Sequence, residues 1–170
     1  MNRAAAVLLG VLVPLLALTA AGVVGGALWA WWADPPDQTD ITPATAELEL
    51  GQVFGVELRY GAIGLLLAAL VAAALAWRLR AYGWVLVVGV TLGSAVAAAV
   101  SYWLGVWWGP DPVAGLERTE LLSGGLVITT PALFLSWGIG ALAALWLVVW
   151  AADRGVDRID EPSLADLPPS

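Results

Sequence analysis

Residues 82–108 read YGWVLVVGVTLGSAVAAAVSYWLGVWW, a continuous apolar run without a charged side chain. A helix needs about 20 predominantly apolar residues to cross the hydrocarbon core of a bilayer. Three further uncharged runs of comparable character occupy residues 4–32, 60–77 and 121–152. The sequence therefore predicts four transmembrane helices.

The overall composition agrees with a membrane location. Hydrophobic residues make up 61% of the chain and its mean hydropathy is +0.85, which leaves too little polar surface to coat a water-soluble globule. We expect an all-α integral membrane four-helix bundle over residues 1–152, with outer loops at 33–59 and 109–120. Residues 153–170 are charged and then proline-rich, which predicts a disordered cytoplasmic tail.

The basic residues predict the orientation of the bundle, because cytoplasmic flanks of spans are enriched in positive charge. All seven are arginines, and five of them lie at alternate span ends that share one side of the membrane. The other two, Arg59 and Arg118, lie in acid-rich loops. Both termini are therefore expected to be cytoplasmic. The five are Arg3, Arg78, Arg80, Arg154 and Arg158.

The first span, residues 4–32, is longer than the apolar region of a cleaved signal peptide, so we expect a retained signal anchor. Proline residues within spans mark expected kinks, at Pro14 and at Pro131. Thr129 and Thr130 directly precede Pro131 and could satisfy the carbonyl that this proline frees. The sequence therefore predicts a bend or a helix start at Pro131.

Tryptophan and tyrosine residues cluster at the span ends, as expected for aromatic belts at the two membrane interfaces. Trp137 is the exception, near the middle of the fourth span. Its indole N–H would need a partner such as Thr91 or Ser94. A packed interior side chain and a gate or ligand platform are both open interpretations. The predicted outer belt comprises Trp29, Trp31, Trp32, Tyr60, Tyr102, Trp103, Trp107 and Trp108.

Small residues at four-residue spacing predict helix-packing faces, since they lie on one side of a helix and let two backbones approach closely. An alanine-rich composition also produces such stripes by chance, and this alternative stays open. The predicted packing residues are Gly89, Gly93, Ala97 and Ser101 in the third span, and Ser136, Gly140 and Ala144 in the fourth.

The two halves of the chain share a pattern at their outer turns. Residues 31–36 read WWADPP and residues 107–112 read WWGPDP, each followed by an acidic loop and a returning span. Such repeats suggest two parallel helical hairpins related by an axis along the membrane normal. The competing explanation is that any helix leaving the outer leaflet favours aromatic residues followed by proline and aspartate.

The sequence lacks the residues that several kinds of chemistry require. The chain has no cysteine and no histidine, so it lacks disulfides, thiol redox centres and the usual ligands of haem and zinc. The four predicted spans hold no charge, which argues against proton-coupled transport. A net charge of −7 argues against nucleic acid as a partner. We expect no catalytic residue, no cofactor and no resident metal.

A weak acidic cluster remains in the first outer loop, at Asp34, Asp37 and Asp40. These carboxylates could gather a hard cation, although their spacing does not match an EF-hand loop. Solvated acids that keep the loop outside the membrane are the simpler interpretation. The following segment, residues 46–60, fits either a short hairpin or an interfacial helix.

Three local motifs give the chain a family resemblance: Ala76-Trp77-Arg78 at the end of the second span, Leu92-Gly93 in the third, and the exit from Gly105 to Pro110. Over residues 47–154 the chain resembles small four-span membrane proteins of actinobacteria that are grouped as a domain of unknown function. The resemblance implies a multi-pass protein of the bacterial plasma membrane. It carries over no catalytic residue.

Three functions are compatible with these features. The first is a non-catalytic accessory subunit that packs against other membrane-protein subunits, or against itself, through small-residue faces in the lipid bilayer. A continuous small-residue groove facing lipid would favour it.

The second function is a passive conduit, or a protein that handles lipids or small molecules. Its polar lining would come from hydroxyl groups, and a hydroxyl-lined seam would favour it. The candidate hydroxyls belong to Thr91, Ser94, Ser101, Thr129, Thr130 and Ser136.

The third function is a membrane enzyme with an acidic site at the outer face, using Asp34, Asp37 or Asp111. Outer carboxylates that converge in space would favour it.

Overall fold

The computed structural model describes residues 3–33, 46–111 and 125–157, with side chains described over 7–33, 51–111 and 125–154. These parts of the chain contain helices and no strand, so the expected all-α four-helix bundle is confirmed for them. The four long helices are α1 (Arg3–Trp32), α2 (Ala46–Leu79), α3 (Trp84–Trp108) and α4 (Leu135–Asp157).

Each helix contains a segment that is long enough and apolar enough to cross a membrane. The chain is therefore a multi-pass membrane protein. The four segments are Val7–Trp32, Gly51–Tyr82, Trp84–Trp108 and Pro131–Arg154.

The helices form two closely packed parallel pairs, α1 with α3 and α2 with α4. Contacts within the sequential hairpins, α1 with α2 and α3 with α4, are much less extensive. The two predicted hairpins are thus joined mainly through the parallel pairs. The α3–α4 boundary is the more sparsely packed of the two hairpin boundaries.

Glycine residues permit the close approach of α1 and α3. A Cβ atom on Gly22 would lie 2.6 Å from the carbonyl oxygen of Ala97, and one on Gly26 would lie 2.7 Å from that of Ser101. Backbone atoms cannot rotate away from such an approach, so only glycine fits there. The predicted stripe on α3 is buried in this contact.

The two predicted kink positions differ in structure. Helix α1 continues through Pro14, and since proline has no N–H, the carbonyl of Gly10 loses its helical donor. Gly89 of α3 packs against that carbonyl, where a Cβ would lie 2.6 Å from the oxygen. Pro131, by contrast, begins a 3-10 helix, Pro131–Phe134, that leads directly into α4.

Three helix boundaries differ from those expected. Helix α4 continues to Asp157, so residues 153–157 of the expected disordered tail are helical. Helix α2 begins at Ala46 instead of residue 60, so residues 46–60 are the first turns of a single long helix and not a hairpin or separate interfacial helix. Residues 126–130 have no regular secondary structure, and α4 is reached only after Pro131. Proline is favoured at a helix start because its missing N–H is not needed there.

Two members of the predicted outer belt lie in the core instead. Trp29 and Tyr60 are 0% and 1% exposed, because their rings point into the bundle. Other aromatic residues are highly exposed at both ends, as expected at an interface. These exposed residues are Trp31, Trp32, Trp103, Trp107 and Trp108 at the end where α1 and α3 finish, and Trp77, Trp84, Trp146 and Trp150 at the opposite end.

Candidate functional site

The structure describes some of the predicted site residues and not others. Asp34, Asp37 and Asp40 lie outside the described residues. Within the described ranges, no group of three or more His, Cys, Asp or Glu residues could hold a metal ion. Gly140 of α4 packs on the backbone of Leu65 in α2. Ser136 and Ala144 are partly buried.

A groove of about 660 Å³ lies between α3 and α4, where the two helices diverge. Its α3 wall follows Thr91, Ala95 and Ala99, which are four residues apart and therefore share one face. Gly138 lies opposite on α4, and a Cβ there would meet nothing closer than Ser94 Oγ at 3.8 Å. Larger side chains form the rim and the two ends: Tyr102, Trp103, Phe134, Leu135, Ile139 and Leu142.

The hydroxyl groups of this groove are already used within their own helix. Thr91 Oγ1 donates to the carbonyl oxygen of Val87 at 2.9 Å, and Ser94 Oγ donates to that of Thr91 at 2.9 Å. Such bonds are common for serine and threonine in transmembrane helices. The groove therefore presents an almost wholly apolar surface with small residues on its α3 wall.

Four aromatic rings close the bundle near the end at which α1 and α3 finish. Trp29, Tyr60, Phe134 and Tyr102 contact one another in a cycle, with ring centroids 5.0 to 6.3 Å apart. Each of α1, α2 and α3 contributes one ring, and the 3-10 helix before α4 contributes Phe134. The mostly edge-to-face geometry is the favourable one for aromatic pairs. We refer to these four residues as the aromatic cycle.

The polar atoms of the two most buried rings find backbone acceptors. The indole Nε1 of Trp29 donates to the carbonyl oxygen of Val56 at 3.0 Å. The hydroxyl of Tyr60 donates to the carbonyl oxygen of Ala98 at 2.7 Å. These bonds join α1 to α2 and α2 to α3, and they fix the relative height of the three helices. The aromatic cycle therefore has a structural role, since its rings pack on one another and two of them bond to the backbone of a neighbouring helix.

Glu57 is the one charged residue among the described side chains that is buried, at 2% exposure. Its Oε1 accepts bonds from the backbone N–H of Thr129 and from Thr129 Oγ1, the latter at 2.6 Å. Its Oε2 accepts a bond from Thr130 Oγ1 at 3.0 Å. Hydrogen bonds to an ionised group typically contribute about 1.5–3 kcal/mol each. The carboxylate therefore joins α2 to the segment before α4.

The neighbouring Arg59 does not pair with Glu57. Its guanidinium donates to the carbonyl oxygen of Trp32 at 3.2 Å and lies 5.9 Å from the centre of the Trp32 ring. The cation thus covers the end of α1, where helix carbonyls lack intrahelical donors. Among the described residues, Glu57 is held by neutral donors alone.

Trp137 lies at the centre of the bundle and is fully buried. A Cβ on Gly25 would lie 2.9 Å from its ring, and Gly64 faces its Nε1 directly. No described atom accepts a hydrogen bond from that Nε1, including Thr91 and Ser94, the partners that we had expected. The structure supports the interpretation of a packed interior side chain, although its N–H is unsatisfied within the described residues.

No family model matches the chain, and no curated protein or solved structure matches it.

Proposed function

We propose that this chain is a non-catalytic accessory subunit whose α3–α4 groove receives a transmembrane helix of another membrane protein. The observation that carries this proposal is the lateral groove itself, with Thr91, Ala95 and Ala99 on one wall and Gly138 on the other. In lipid, helices associate through close packing and not through a hydrophobic driving force, and small residues permit that packing.

The stripe predicted from sequence does not supply this surface. Gly89, Gly93 and Ala97 face α1, so they stabilise the bundle and cannot be reached by a partner. The groove residues lie on a different face of α3. The proposed interface is therefore a second small-residue face of α3, one that the bundle leaves uncovered.

The chemistry of the lining favours a helix over a polar ligand. Ligand sites normally contain a few converging polar groups that fix orientation. Here the hydroxyls of Thr91 and Ser94 are bonded to their own helix, so they offer no donor for a solute. For the same reason a polar conduit is poorly supported.

Lipid binding is the second candidate, because the apolar lining would also accept an acyl chain. The groove is lined by helix segments that belong to candidate membrane spans, so lipid chains have direct access to it. The experiment below separates the two occupants.

We expect Gly138→Leu to fill the groove and to displace the partner helix while the bundle stays folded. The nearest atom to a Cβ at this position is 3.8 Å away, so the larger side chain has room. The chain has no cysteine, which allows a single reporter, Ala99→Cys, for cross-linking in native membranes. The adduct should map to a transmembrane segment of one partner, and Gly138→Leu should reduce its yield by about tenfold or more, the change for about 1.4 kcal/mol of lost contact.

The matched controls are Leu66→Cys, on an exposed face of α2, and Ala62→Leu, which adds similar bulk at an exposed site. Leu66→Cys should not give the specific adduct, and Ala62→Leu should not abolish it. Equal cross-linking in the Gly138→Leu variant would overturn the proposal. If the purified native chain carries only lipid and the Gly138→Leu variant loses that lipid, the groove binds lipid instead of a helix.

We further propose that the protein resides in the bacterial plasma membrane with both termini cytoplasmic, as the arginine distribution and the actinobacterial resemblance imply. Gln52 lies in an exposed turn of α2 near the outer end. A Gln52→Cys variant should therefore react with a membrane-impermeant maleimide in intact spheroplasts. Reaction only after the membrane is permeabilised would reverse the proposed orientation.

A further inference from the structure

A short connecting segment, residues 125–130, lies between the outer end of α3 and the start of α4, and we call it the strap. Its Leu126 is fully buried and packs on Gly109 at the end of α3. At its other end Thr129 and Thr130 bind Glu57 of α2. The strap is therefore attached at two points that differ in chemistry, one apolar and one ionic.

The strap positions residues that line the groove. It continues directly into the 3-10 helix Pro131–Phe134, whose Phe134 belongs both to the aromatic cycle and to the groove. Neither threonine caps that 3-10 helix with its side chain. Their hydroxyls are committed to Glu57, so the placement of this turn depends on the carboxylate.

The other charged and titratable groups on the elements around Glu57 have interactions of their own or lie in the aromatic cycle. Arg59 binds the end of α1, and Tyr60 donates to Ala98. Tyr102 of α3 stacks on Trp29 and meets Phe134 edge-to-face. Asp111 follows the end of α3 and has interactions of its own. Within the described part of the molecule, the charge of Glu57 is compensated by three hydrogen-bond donors, two from Thr129 and one from Thr130.

We propose that Glu57 and the Thr129-Thr130 pair form a pH-sensitive latch that holds the strap against α2. A proton taken up from solvent adds to Oε2, because Oε1 already accepts two donors. Thr130 must then turn its hydroxyl to accept instead of donate, and the bonds to Oε1 become bonds to a neutral carbonyl. Protonation therefore weakens all three attachments at once, and the strap separates from α2 while Leu126 holds its far end.

The test measures access to the strap directly. A single cysteine at the half-buried Ile128 is labelled with a maleimide in detergent between about pH 7.5 and about pH 3, a range that extends below ordinary carboxyl titration because the threonine donors favour the ionised form of Glu57. Each rate is divided by that of Phe54→Cys, an exposed site on α2, because this ratio cancels the titration of the thiol itself. We expect the ratio to rise by about tenfold on acidification, the equivalent of one net charge-assisted hydrogen bond.

Glu57→Gln is the central variant, since the amide mimics the protonated acid in shape and in its single carbonyl acceptor. It should show the high ratio at every pH. Thr130→Val keeps the carboxylate and removes one donor, so it should raise the ratio at neutral pH, whereas Thr130→Ser should restore the native value. Helicity by circular dichroism identifies any variant that fails to fold, and the two threonine variants then carry the test. A ratio that does not change with pH in the native chain, or that changes equally in Glu57→Gln, would overturn the latch.

Discussion

Replacement of Gly93 with leucine is expected to force α1 away from α3 and to lower the free energy of unfolding by about 3 kcal/mol or more. A Cβ at this position would lie 2.9 Å from the Leu18 side chain, 3.0 Å from the carbonyl oxygen of Pro14 and 3.1 Å from the Cα of Leu15. The last two are backbone atoms, so the collision can be relieved only by moving a helix. Thermal unfolding in detergent, followed by circular dichroism, measures the effect.

The matched control is Gly55→Leu, which adds the same side chain to a helix glycine with no atom within 4 Å of its Cβ position. It should leave the unfolding temperature nearly unchanged. A graded variant, Gly93→Ala, should fall between the two because a methyl group needs a smaller shift. An unchanged unfolding temperature in Gly93→Leu would show that α1 and α3 do not pack through this face.

The four spans were predictable because they depend on a local property, the absence of charge over about 20 residues. The start of α2 was not, because Arg59 and Glu57 interrupt the apolar run in the sequence. In the folded chain the charge of Glu57 is satisfied by donors from Thr129 and Thr130, more than seventy residues away. A rule based on local hydropathy cannot anticipate a charge that is compensated through tertiary contacts.

The small-residue stripe of α3 was likewise predictable as a face, but its partner was not. Spacing shows that Gly89, Gly93 and Ala97 share one side of a helix. It does not show which helix covers that side. That choice depends on complementary positions such as Gly22, which lets the Ala97 backbone approach from α1.

The groove and the aromatic cycle were beyond sequence reasoning for different reasons. The groove exists where α3 and α4 pack only sparsely, and a sparse contact has no sequence signature. Trp29 and Tyr60 occupy the same stretch as true interfacial residues such as Trp31, so composition assigns them all to one belt. Only the rotation of each helix about its axis separates the buried rings, at 0% and 1% exposure, from Trp31 at 84%.

Substitution of Trp137 by alanine is expected to destabilise the bundle by about 3–5 kcal/mol, the usual range for removing a large buried aromatic side chain. The indole is fully buried and fills the space left by Gly25 of α1 and Gly64 of α2. Neither glycine has a side chain that could move into the vacated volume. Denaturant or thermal unfolding in detergent, with helicity as the signal, measures the loss.

Trp137→Phe separates volume from hydrogen bonding in the same position. Because the indole Nε1 has no acceptor among the described atoms, the phenyl ring should retain most of the stability. Ser101→Ala is the polar control, since Ser101 is 1% exposed and its Oγ also lacks a described partner. Removing that hydroxyl should be neutral or stabilising by about 1 kcal/mol. If Trp137→Phe instead costs as much as Trp137→Ala, the stability at this site comes from the N–H and not from the packing of the ring between two glycines.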